Sequence, residues 1–344
     1  MATILFLLIV SFCLVAFPQV LEVKAEAKTI VVPDDYSTIQ EAVRSAASGD
    51  TIYVKKGVYQ ENVGIDKPLS LIGEDVDSTI IESYSVPVKV TSDRVNISGF
   101  TLSYGYAAIQ MSEVKFCNIH ANKITGATYG IRVFKSSSNN ITENVFESIG
   151  SGSAIRLDYA PQNLIQRNYI SSCVEGVQLM ESSHNNTVTE NTIVNCDDQG
   201  IRLLYCDNSM VIGNNITSCG IGLSIYGANN NTVYNNSFIN NTVQISTNEW
   251  YAQQWGYTFS VNAINENYWS DYKGTDSNQD GLGDTPYVID ENNQDSSPLM
   301  NPVDVGVIAE FPSWTRILIM ILATVSVAVI YKRRFYSQQK EETK

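Results

Sequence analysis

Basic residues and cysteine are both scarce in this chain, and each shortage excludes a class of protein. The 344 residues include 22 Lys and Arg against 36 Asp and Glu, a formal net charge of −14. Because phosphate binding needs clustered basic side chains, we expect no nucleic-acid partner. Five of the six cysteines follow residue 27, and this odd number argues against a full disulfide framework. The apolar content of 44% is nevertheless enough to fill a core.

Asparagine is abundant instead, and it recurs at a regular interval. Of 31 Asn, 21 lie between Asn118 and Asn241. A motif of Asn, any residue and then Ile or Phe repeats every 22 to 24 residues, at Asn122, Asn144, Asn168, Asn191, Asn214 and Asn236. A second motif keeps step with it, as in Gly130-Ile-Arg-Val133. Short alternating runs punctuated by Gly, Asn and Ser predict strands and turns, not helices.

This period predicts the fold. One coil of about 23 residues cannot bury its own inner face, but stacked coils with parallel strands about 4.8 Å apart can. We therefore predict an all-β protein, a single-stranded right-handed parallel β-helix over residues 28–270. We expect the recurring Asn to take the left-handed backbone and to hydrogen-bond between coils. A leucine-rich repeat has a similar period, but these repeats use Ile, Val and Phe in place of regular Leu.

Two further features belong to this stack of coils. Residues 36–48 form an amphipathic pattern that predicts a helical cap over the N-terminal end. Cys173, Cys196 and Cys219 each lie five residues after a motif Asn and so share one repeat position. They form either a metal-binding or disulfide column, or an inward stack of small apolar side chains. We favour the inward stack, because disulfide geometry is demanding and three thiols cannot all pair.

Both ends of the chain resemble targeting segments. The apolar run from Ile4 to Phe17, followed by Ala25-Glu-Ala27, predicts a signal peptide over residues 1–27, with an uncleaved anchor as the alternative. After a linker at 303–313, residues 314–331 predict a C-terminal transmembrane helix, with a buried core helix as the alternative. The basic tail 332–344 is then cytoplasmic. We expect a single-pass cell-surface protein whose body is extracellular.

The N-terminal motifs carry a family resemblance. Thr29-Ile-Val-Val-Pro33, Gly49-Asp-Thr-Ile-Tyr-Val54 and Leu69-Ser-Leu-Ile-Gly73 resemble the start of pectin-lyase-like β-helix proteins. With the Asn-rich coils and Asn267-Tyr-Trp-Ser-Asp271, the chain resembles NosD-like exported proteins, and its C-terminal arrangement is similar to that of archaeal surface proteins. The family implies a periplasmic copper role. Copper sites need clustered His, Met or thiolate ligands, and we expect none here because the two His and the Met residues are scattered.

Polar and aromatic side chains are predicted to form outward ladders along the coils. The position of Arg132 is also occupied by Gln110, Arg156, Gln178, Arg202, Ser224 and Gln244. The next outward position holds Phe134, Asp158, Met180, Leu204 and Tyr226, with Tyr159 and Tyr205 just beyond. Such a surface suits a linear polysaccharide or cell-envelope glycan. Its candidate contacts are Arg132, Arg156, Asp158, Gln178, Arg202 and Tyr205. A solvated sheet face without a ligand is the alternative.

Catalytic signals are weaker than this binding signal. Hydrolases need two positioned carboxylates, and Asp197-Asp198, Asp158 and Glu181 are the candidates. Arg156 beside Asp158 suggests a lyase at most. We therefore expect a non-catalytic carbohydrate-binding or cell-envelope interaction module. The alternatives are a polysaccharide lyase or glycoside hydrolase, and a NosD-like periplasmic copper-binding protein.

An acidic segment, residues 271–302, contains a motif typical of calcium loops. Its oxygen ligands stand at positions 1, 3, 5, 7 and 9, with Gly281 at position 6: Asp276, Asn278, Asp280, the Leu282 carbonyl and Asp284. Position 12 is Tyr287, so the usual bidentate Glu is missing. We predict a structural calcium ion; an acidic turn without an ion is the alternative.

Overall fold

Three parallel sheets wind into one β-helix, which confirms the predicted architecture. The structure is a computed structural model, and it describes residues 26–247 and 261–304. It is an all-β right-handed parallel β-helix of about 10 turns. Each coil contributes one strand to each sheet in turn, because strands three apart in sequence pair side by side. The repeat period therefore equals one circuit of the backbone, as predicted.

The strands of each sheet are short. Sheet 1 has 11 strands, β1 Thr29–Val32, β2 Thr51–Val54, β5 Ser70–Gly73, β8 Asn96–Ser98, β11 Asn118–His120, β14 Asn140–Thr142, β17 Leu164–Gln166, β20 Thr187–Thr189, β23 Met210–Ile212, β26 Thr232–Tyr234 and β29 Ala263–Asn265. Sheet 2 has 10, β3 Gly57–Gln60, β6 Thr79–Glu82, β9 Thr101–Ser103, β12 Lys123–Thr125, β15 Val145–Glu147, β18 Tyr169–Ser171, β21 Thr192–Val194, β24 Asn215–Thr217, β27 Ser237–Ile239 and β30 Tyr268–Trp269.

Sheet 3 carries longer strands in its middle. Its nine members are β4 Val63–Ile65, β7 Val88–Val90, β10 Ala107–Ser112, β13 Tyr129–Phe134, β16 Ser153–Asp158, β19 Glu175–Met180, β22 Gln199–Leu204, β25 Ile221–Tyr226 and β28 Val243–Ser246. A separate antiparallel pair, β31 Tyr287–Val288 and β32 Gln294–Asp295, follows the last coil. The six-residue strands from β10 to β25 give sheet 3 a broad outer face.

Equivalent side chains lie above one another inside the coil. Sheet 1 stacks Ile119, Ile141 and Ile165 in register, and sheet 2 stacks Ile124, Phe146 and Ile170, all fully buried. This is the apolar column that a single coil could not bury alone.

A column of buried asparagines, which we call the Asn ladder, links the coils at the turn between sheets 1 and 2. It comprises Asn122, Asn144, Asn168, Asn191, Asn214, Asn236 and Asn267. Asn168 is typical, because its Oδ1 accepts from the backbone N–H of Asn144 at 3.0 Å and its Nδ2 donates to Asn191 Oδ1 at 3.0 Å. The predicted hydrogen bonding between coils is thus confirmed.

The expected left-handed backbone of these asparagines is wrong. The residue before each one takes that conformation, with φ of 57° at Glu143, 52° at Arg167 and 56° at Glu190. The preceding residue makes the turn, which leaves the Asn side chain free to point inward and satisfy buried backbone groups.

The thiols at the repeated cysteine position stack as predicted. The backbone N–H of Asp197 donates to Cys173 O, and that of Gly220 donates to Cys196 O, so the three cysteines occupy successive coils. All three are reduced and at most 2% exposed. Burial raises the pKa of the Cys173 thiol to about 11. An inward stack of small side chains is therefore what the structure shows.

The N-terminal cap is a shorter helix than predicted. Helix α1 spans Ile39–Ser45 instead of residues 36–48. Thr38 is its N-cap, and its side chain accepts from Glu41 N at 3.2 Å. The helix ends because Ala46 has an extended backbone, with ψ of 144°. Ile39, Ala42 and Val43 are buried against the first coils, which is the predicted apolar face.

A carboxylate ends the Asn ladder at the other end of the stack. Asp295 is fully buried, and its Oδ2 accepts from Asn267 N at 2.8 Å and from Trp269 Nε1 at 3.0 Å. Leu299 N donates to Asn267 O at 2.9 Å, and the ring of Tyr287 stacks on Trp269 at 4.5 Å. The segment after the last coil therefore covers the open end of the β-helix.

The predicted targeting segments lie outside the described residues. This applies to the transmembrane helix at 314–331, the tail 332–344 and all but the last two residues of the predicted signal peptide 1–27. Within 26–247 and 261–304, no helix is both long and apolar enough to cross a membrane.

Candidate functional site

Three columns of side chains cover the outer face of sheet 3. Two are the predicted ones, since Arg132, Arg156, Gln178 and Arg202 pair in register, as do Phe134, Asp158, Met180 and Leu204. A third column was not predicted from the sequence. It consists of Tyr129, Ser153, Glu175 and Gln199, with Ala107 before them and Ile221 after them.

The third column exists because the alternation of side chains breaks at the start of each strand. Gly130 is buried, and a Cβ there would meet Phe146 of the core at 2.7 Å, so this position faces inward. Ile131 also faces inward, and Tyr129 therefore faces outward. Strict period-two alternation, counted back from the outward Arg132, would place Gly130 outside and Tyr129 inside. For this reason the column was not predicted from the sequence. The run of Gly or Ala at the position of Gly130 was the available signal.

A buried carboxylate holds two of the predicted arginines. Asp158 is 5% exposed, and its Oδ1 accepts from Nε and Nη2 of Arg156 at 3.0 and 2.9 Å. Arg132 Nε reaches Asp158 Oδ2 at 3.3 Å. Arg156 Nη1 also donates to Gln178 Oε1 at 3.2 Å. Burial alone would lower the pKa of Arg156, but the hydrogen bond and charge of Asp158 outweigh it and raise that pKa.

Arg202 is less completely satisfied than the other two. Its Nη1 lies 3.7 Å from Glu175 Oε1, and its Nε is buried with no hydrogen-bond partner among the described residues. Glu175 accepts from Ser153 Oγ at 3.2 Å. Burial raises the pKa of Glu175, although the charge of Arg202 opposes this shift. Arg202 therefore has the donors that the protein itself uses least.

Aromatic rings flank these cations. The guanidinium of Arg132 lies 5.6 Å from the ring centroid of Tyr106 and 5.7 Å from that of Tyr129. Arg202 lies 5.9 Å from the centroid of Tyr226. Cations over ring faces are attracted to the π electrons, which favours these positions of the guanidinium groups.

Of two further predicted positions, Tyr205 lies where it was predicted and Gln244 does not. Tyr205 lies in the turn after β22, with φ of 53°, and its ring packs over Gly227, where a Cβ would come within 2.6 Å. It borders the outer face of sheet 3, as predicted for a residue just beyond the strand. Gln244 does not continue the ladder of Arg132, because Ser246 pairs with Ser224 in the last coil. Gln244 is buried and bonds to Asn241 and Ser270.

The residues of the predicted calcium loop bond within the loop. Asp276 Oδ2 accepts from Gly281 N at 2.9 Å, and Asp280 Oδ1 accepts from Leu282 N at 2.9 Å. Asn278 Nδ2 donates to Asp280 Oδ2 at 2.9 Å. Asp284 turns toward Ser277, whose hydroxyl and backbone N–H lower the pKa of its carboxyl.

Gly281 supplies the tight turn that a calcium loop needs, with φ of 90°. The carboxylates nevertheless do not converge. Across 26–247 and 261–304, no group of three or more His, Cys, Asp or Glu side chains is placed to hold a metal ion.

The remaining catalytic and copper candidates lie apart from the arginines. Asp197 and Asp198 are exposed in the turn before β22, and Glu181 lies in the turn after β19. His120 is on sheet 1, where burial lowers its pKa, and His184 Nδ1 accepts from Asp207 N at 2.8 Å in another turn. Neither histidine is on the outer face of sheet 3.

Sequence comparison identifies the family. The profile of the periplasmic copper-binding protein NosD matches residues 43–274. The chain belongs to the NosD family. The match begins within helix α1 and covers the strands from β2 to β30. No curated protein sequence shows a significant match to this NosD-family chain.

Solved structures with the same fold include enzymes that act on polysaccharides. An alginate lyase from Paenibacillus sp. is 16% identical with a TM-score of 0.51, covering 70% of this chain and 94% of the lyase. A mannuronan C-5 epimerase A-module from Azotobacter vinelandii is 15% identical with a TM-score of 0.52, covering 68% and 84%. An exopolygalacturonase from Thermotoga maritima is 11% identical with a TM-score of 0.52, covering 70% and 78%. At these identities the likeness shows the fold alone.

Proposed function

We propose that the outer face of sheet 3 binds an acidic polysaccharide without cleaving it. The observation that carries this proposal is the line of Arg132, Arg156 and Arg202 on one flat sheet, flanked by Tyr129 and Tyr226. Planar guanidinium groups suit carboxylates, since they donate two parallel hydrogen bonds. Parallel strands spaced about 4.8 Å apart repeat these groups along one direction, as a linear polymer requires. Fold relatives that act on alginate and polygalacturonate are consistent with this class of ligand.

The arginines differ in the hydrogen bonds that remain for a ligand. Arg132 and Arg156 share Asp158, which fixes their orientation. Arg202 has a single distant contact to Glu175 at 3.7 Å. A ligand carboxylate that binds Arg202 gains a charge-assisted hydrogen bond, which the charge of Glu175 opposes until its carboxyl is protonated. Arg202 is therefore the expected main contact, and Arg132 and Arg156 supply preorganised positive charge.

The state of the carboxylates supports binding without hydrolysis. A glycosidase needs one carboxyl group as acid and another as base or nucleophile. Asp158 is 5% exposed and is held by two guanidinium groups, so its oxygens are not open to a substrate. Glu175 has a raised pKa, which is the property expected of a general acid, and it is the observation that keeps a lyase or hydrolase as the second candidate.

Incubation with acidic polysaccharides separates these two candidates. Purified protein is mixed with polygalacturonate and with alginate, and both binding and products are measured. We expect retarded migration in affinity electrophoresis, with neither new reducing ends nor unsaturated products. Release of either product would establish the enzymatic alternative. Absence of retardation with both polymers would refute the binding proposal.

Copper binding, which the family description names, finds little support in this chain. The buried thiols of Cys173, Cys196 and Cys219 come nearest to a ligand set. Burial raises the pKa of Cys173 to about 11, whereas the hydrogen bond with Cys196 lowers that of Cys219. Across 26–247 and 261–304, however, no group of three or more His, Cys, Asp or Glu side chains is arranged to hold a metal ion. The described residues therefore do not fit a copper site. Stoichiometric copper uptake under reducing conditions, lost on Cys196→Ser, would overturn this view.

We further propose that the domain is exported and anchored by residues 314–331 at the cell surface, and that residues 276–284 bind calcium as a structural ion. The periplasmic description of the family agrees with export.

For the loop to bind calcium, the carboxylates of Asp276 and Asp280 must turn from backbone N–H groups toward the ion. Calorimetry should show calcium binding by the wild type and a weaker signal for Asp280→Ala. Identical titrations would refute this loop as the site.

A further inference from the structure

A pocket of about 250 Å³ lies at the edge of sheet 2 that leads to sheet 3, near the N-terminal end of the stack. Glu82 and Asn62 form its polar wall, and Tyr84 and Tyr104 form its aromatic wall. None of these residues belongs to the columns on the outer face of sheet 3.

The two tyrosines are unusually open to solvent. Tyr84 is 93% exposed and Tyr104 is 47% exposed, yet their rings stack with centroids 5.8 Å apart. The turn that presents Tyr104 is the left-handed turn that follows sheet 2 in successive coils, as at Ser148 and Ser172. Tyr104 has φ of 67°, and at Gly105 a Cβ would approach Ser85 O to 2.4 Å, so only glycine fits. A large aromatic ring held outward on a constrained turn is typical of a ligand-binding surface.

The polar wall carries negative charge. The Glu82 side chain has no ion-pair partner in the described part of the chain, and Asn62 Oδ1 accepts from Ser83 Oγ. Glu61, on the same wall, accepts from Ile39 N and Gln40 N at 3.0 Å each. Such a wall accepts hydrogen bonds from hydroxyl groups and repels a uronate carboxylate. The pocket therefore favours neutral sugars, whereas the arginines favour acidic ones.

One tyrosine, Tyr106, lies along the chain between the turn of Tyr104 and the strands that carry the arginines. Tyr106 is two residues beyond Tyr104 and is 46% exposed. Its ring contacts Tyr129 at 5.3 Å, and its hydroxyl accepts from Arg132 Nη1. Tyr106 therefore connects the turn that carries Tyr104 to the line of arginines.

We propose that this pocket is a subsite for a neutral pyranose, which stacks on Tyr84 and Tyr104 and donates its hydroxyl groups to Glu82 and Asn62. This subsite rests on the proposed polysaccharide binding. The polysaccharide then carries neutral and acidic sugars in one chain. The neutral sugar gives the surface a direction, because it is recognised at one end of the line of arginines only.

The test uses separate neutral and acidic probes. Cellopentaose, mannopentaose and xylopentaose represent neutral pyranoses, and pentagalacturonate represents the acidic polymer. We expect calorimetry to detect weak binding of at least one neutral probe, at least fivefold weaker in Tyr84→Ala and in Glu82→Ala. Tyr36→Ala removes an exposed tyrosine elsewhere and should bind as the wild type does.

The acidic probe keeps this inference separate from the proposed function. Pentagalacturonate binding should fall in Arg202→Gln and stay unchanged in Tyr84→Ala. Failure of all three neutral probes, or neutral binding that survives Tyr84→Ala, would overturn the subsite while leaving the arginine surface intact. Failure of pentagalacturonate alone would overturn the arginine surface and leave the subsite.

Discussion

The Asn ladder and the outer face of sheet 3 are both columns of polar side chains, but they solve different problems. In the ladder, six of the seven asparagines donate to the amide oxygen of the next Asn, and all seven are fully buried. On the outer face, neighbouring coils carry different groups, and one buried donor, Arg202 Nε, is left without a partner in the described chain. Uniform columns stabilise the coil, whereas a varied column on a flat sheet offers specific contacts to a ligand.

The largest effect should come from breaking the ladder. In Asn168→Ala, Asn144 N loses its acceptor, and the carbonyl of Ile141 loses its donor. Each buried group left unpaired costs about 1–3 kcal/mol, so we expect a loss of about 3–5 kcal/mol in urea unfolding. Asn118→Ala is the control, because that side chain bonds Asn96 on the outer side of sheet 1 and should cost under about 1 kcal/mol. Equal losses of stability in the two variants would contradict the claim that the buried ladder stabilises the coil more than outward asparagines do.

A smaller loss is expected at the end of the ladder. Asp295 accepts from the backbone N–H groups of Glu266, Asn267 and Ser297 and from the Trp269 indole. In Asp295→Asn, the amide must turn its NH₂ group toward some of these donors. We expect about 2 kcal/mol of destabilisation by the same unfolding assay. The exposed Asp66→Asn should be neutral, and an equally neutral Asp295→Asn would show that this carboxylate does not secure the cap.

Substitution of an arginine on the outer face of sheet 3 should weaken ligand binding. Arg202→Gln removes the least satisfied guanidinium, and we expect polygalacturonate to bind about tenfold more weakly, or about 1.4 kcal/mol. Arg167→Gln is the matched control, because Arg167 is 53% exposed on the other side and pairs with Glu190 at 2.7 Å. Affinity electrophoresis compares the two. A weaker interaction in both variants would indicate nonspecific charge attraction.

The smallest effect is a pH dependence. Burial raises the pKa of Glu175, so its carboxyl takes up a proton as the pH falls through that raised pKa. Protonation releases Arg202 and removes a negative charge, which should strengthen binding of an anionic polymer. Glu175→Gln mimics this state, and we expect about threefold tighter binding at neutral pH with little further gain on acidification. If the variant kept the full pH dependence, another group would be responsible.

The same contrast explains what could be predicted from sequence. Uniform columns repeat every 22 to 24 residues, so the Asn ladder, the thiol stack and the coil itself follow from the spacing. Asp295 was missed because an insertion places it 28 residues after Asn267. Tyr129 and Glu175 were missed because the backbone breaks its period-two alternation beside Gly130. The pairing of Asp158 with two arginines depends on side-chain geometry between coils, which no spacing encodes.

Hydroxyl-radical footprinting with polygalacturonate tests the central claim most directly. Tyr129 and Tyr226 lie on the outer face of sheet 3, whereas Tyr234 lies on sheet 1, 39% exposed. We expect saturating polymer to protect Tyr129 and Tyr226 from oxidation and to leave Tyr234 as reactive as in the free protein. Equal protection of all three tyrosines, or protection of Tyr234 alone, would contradict the assignment of this face as the binding surface.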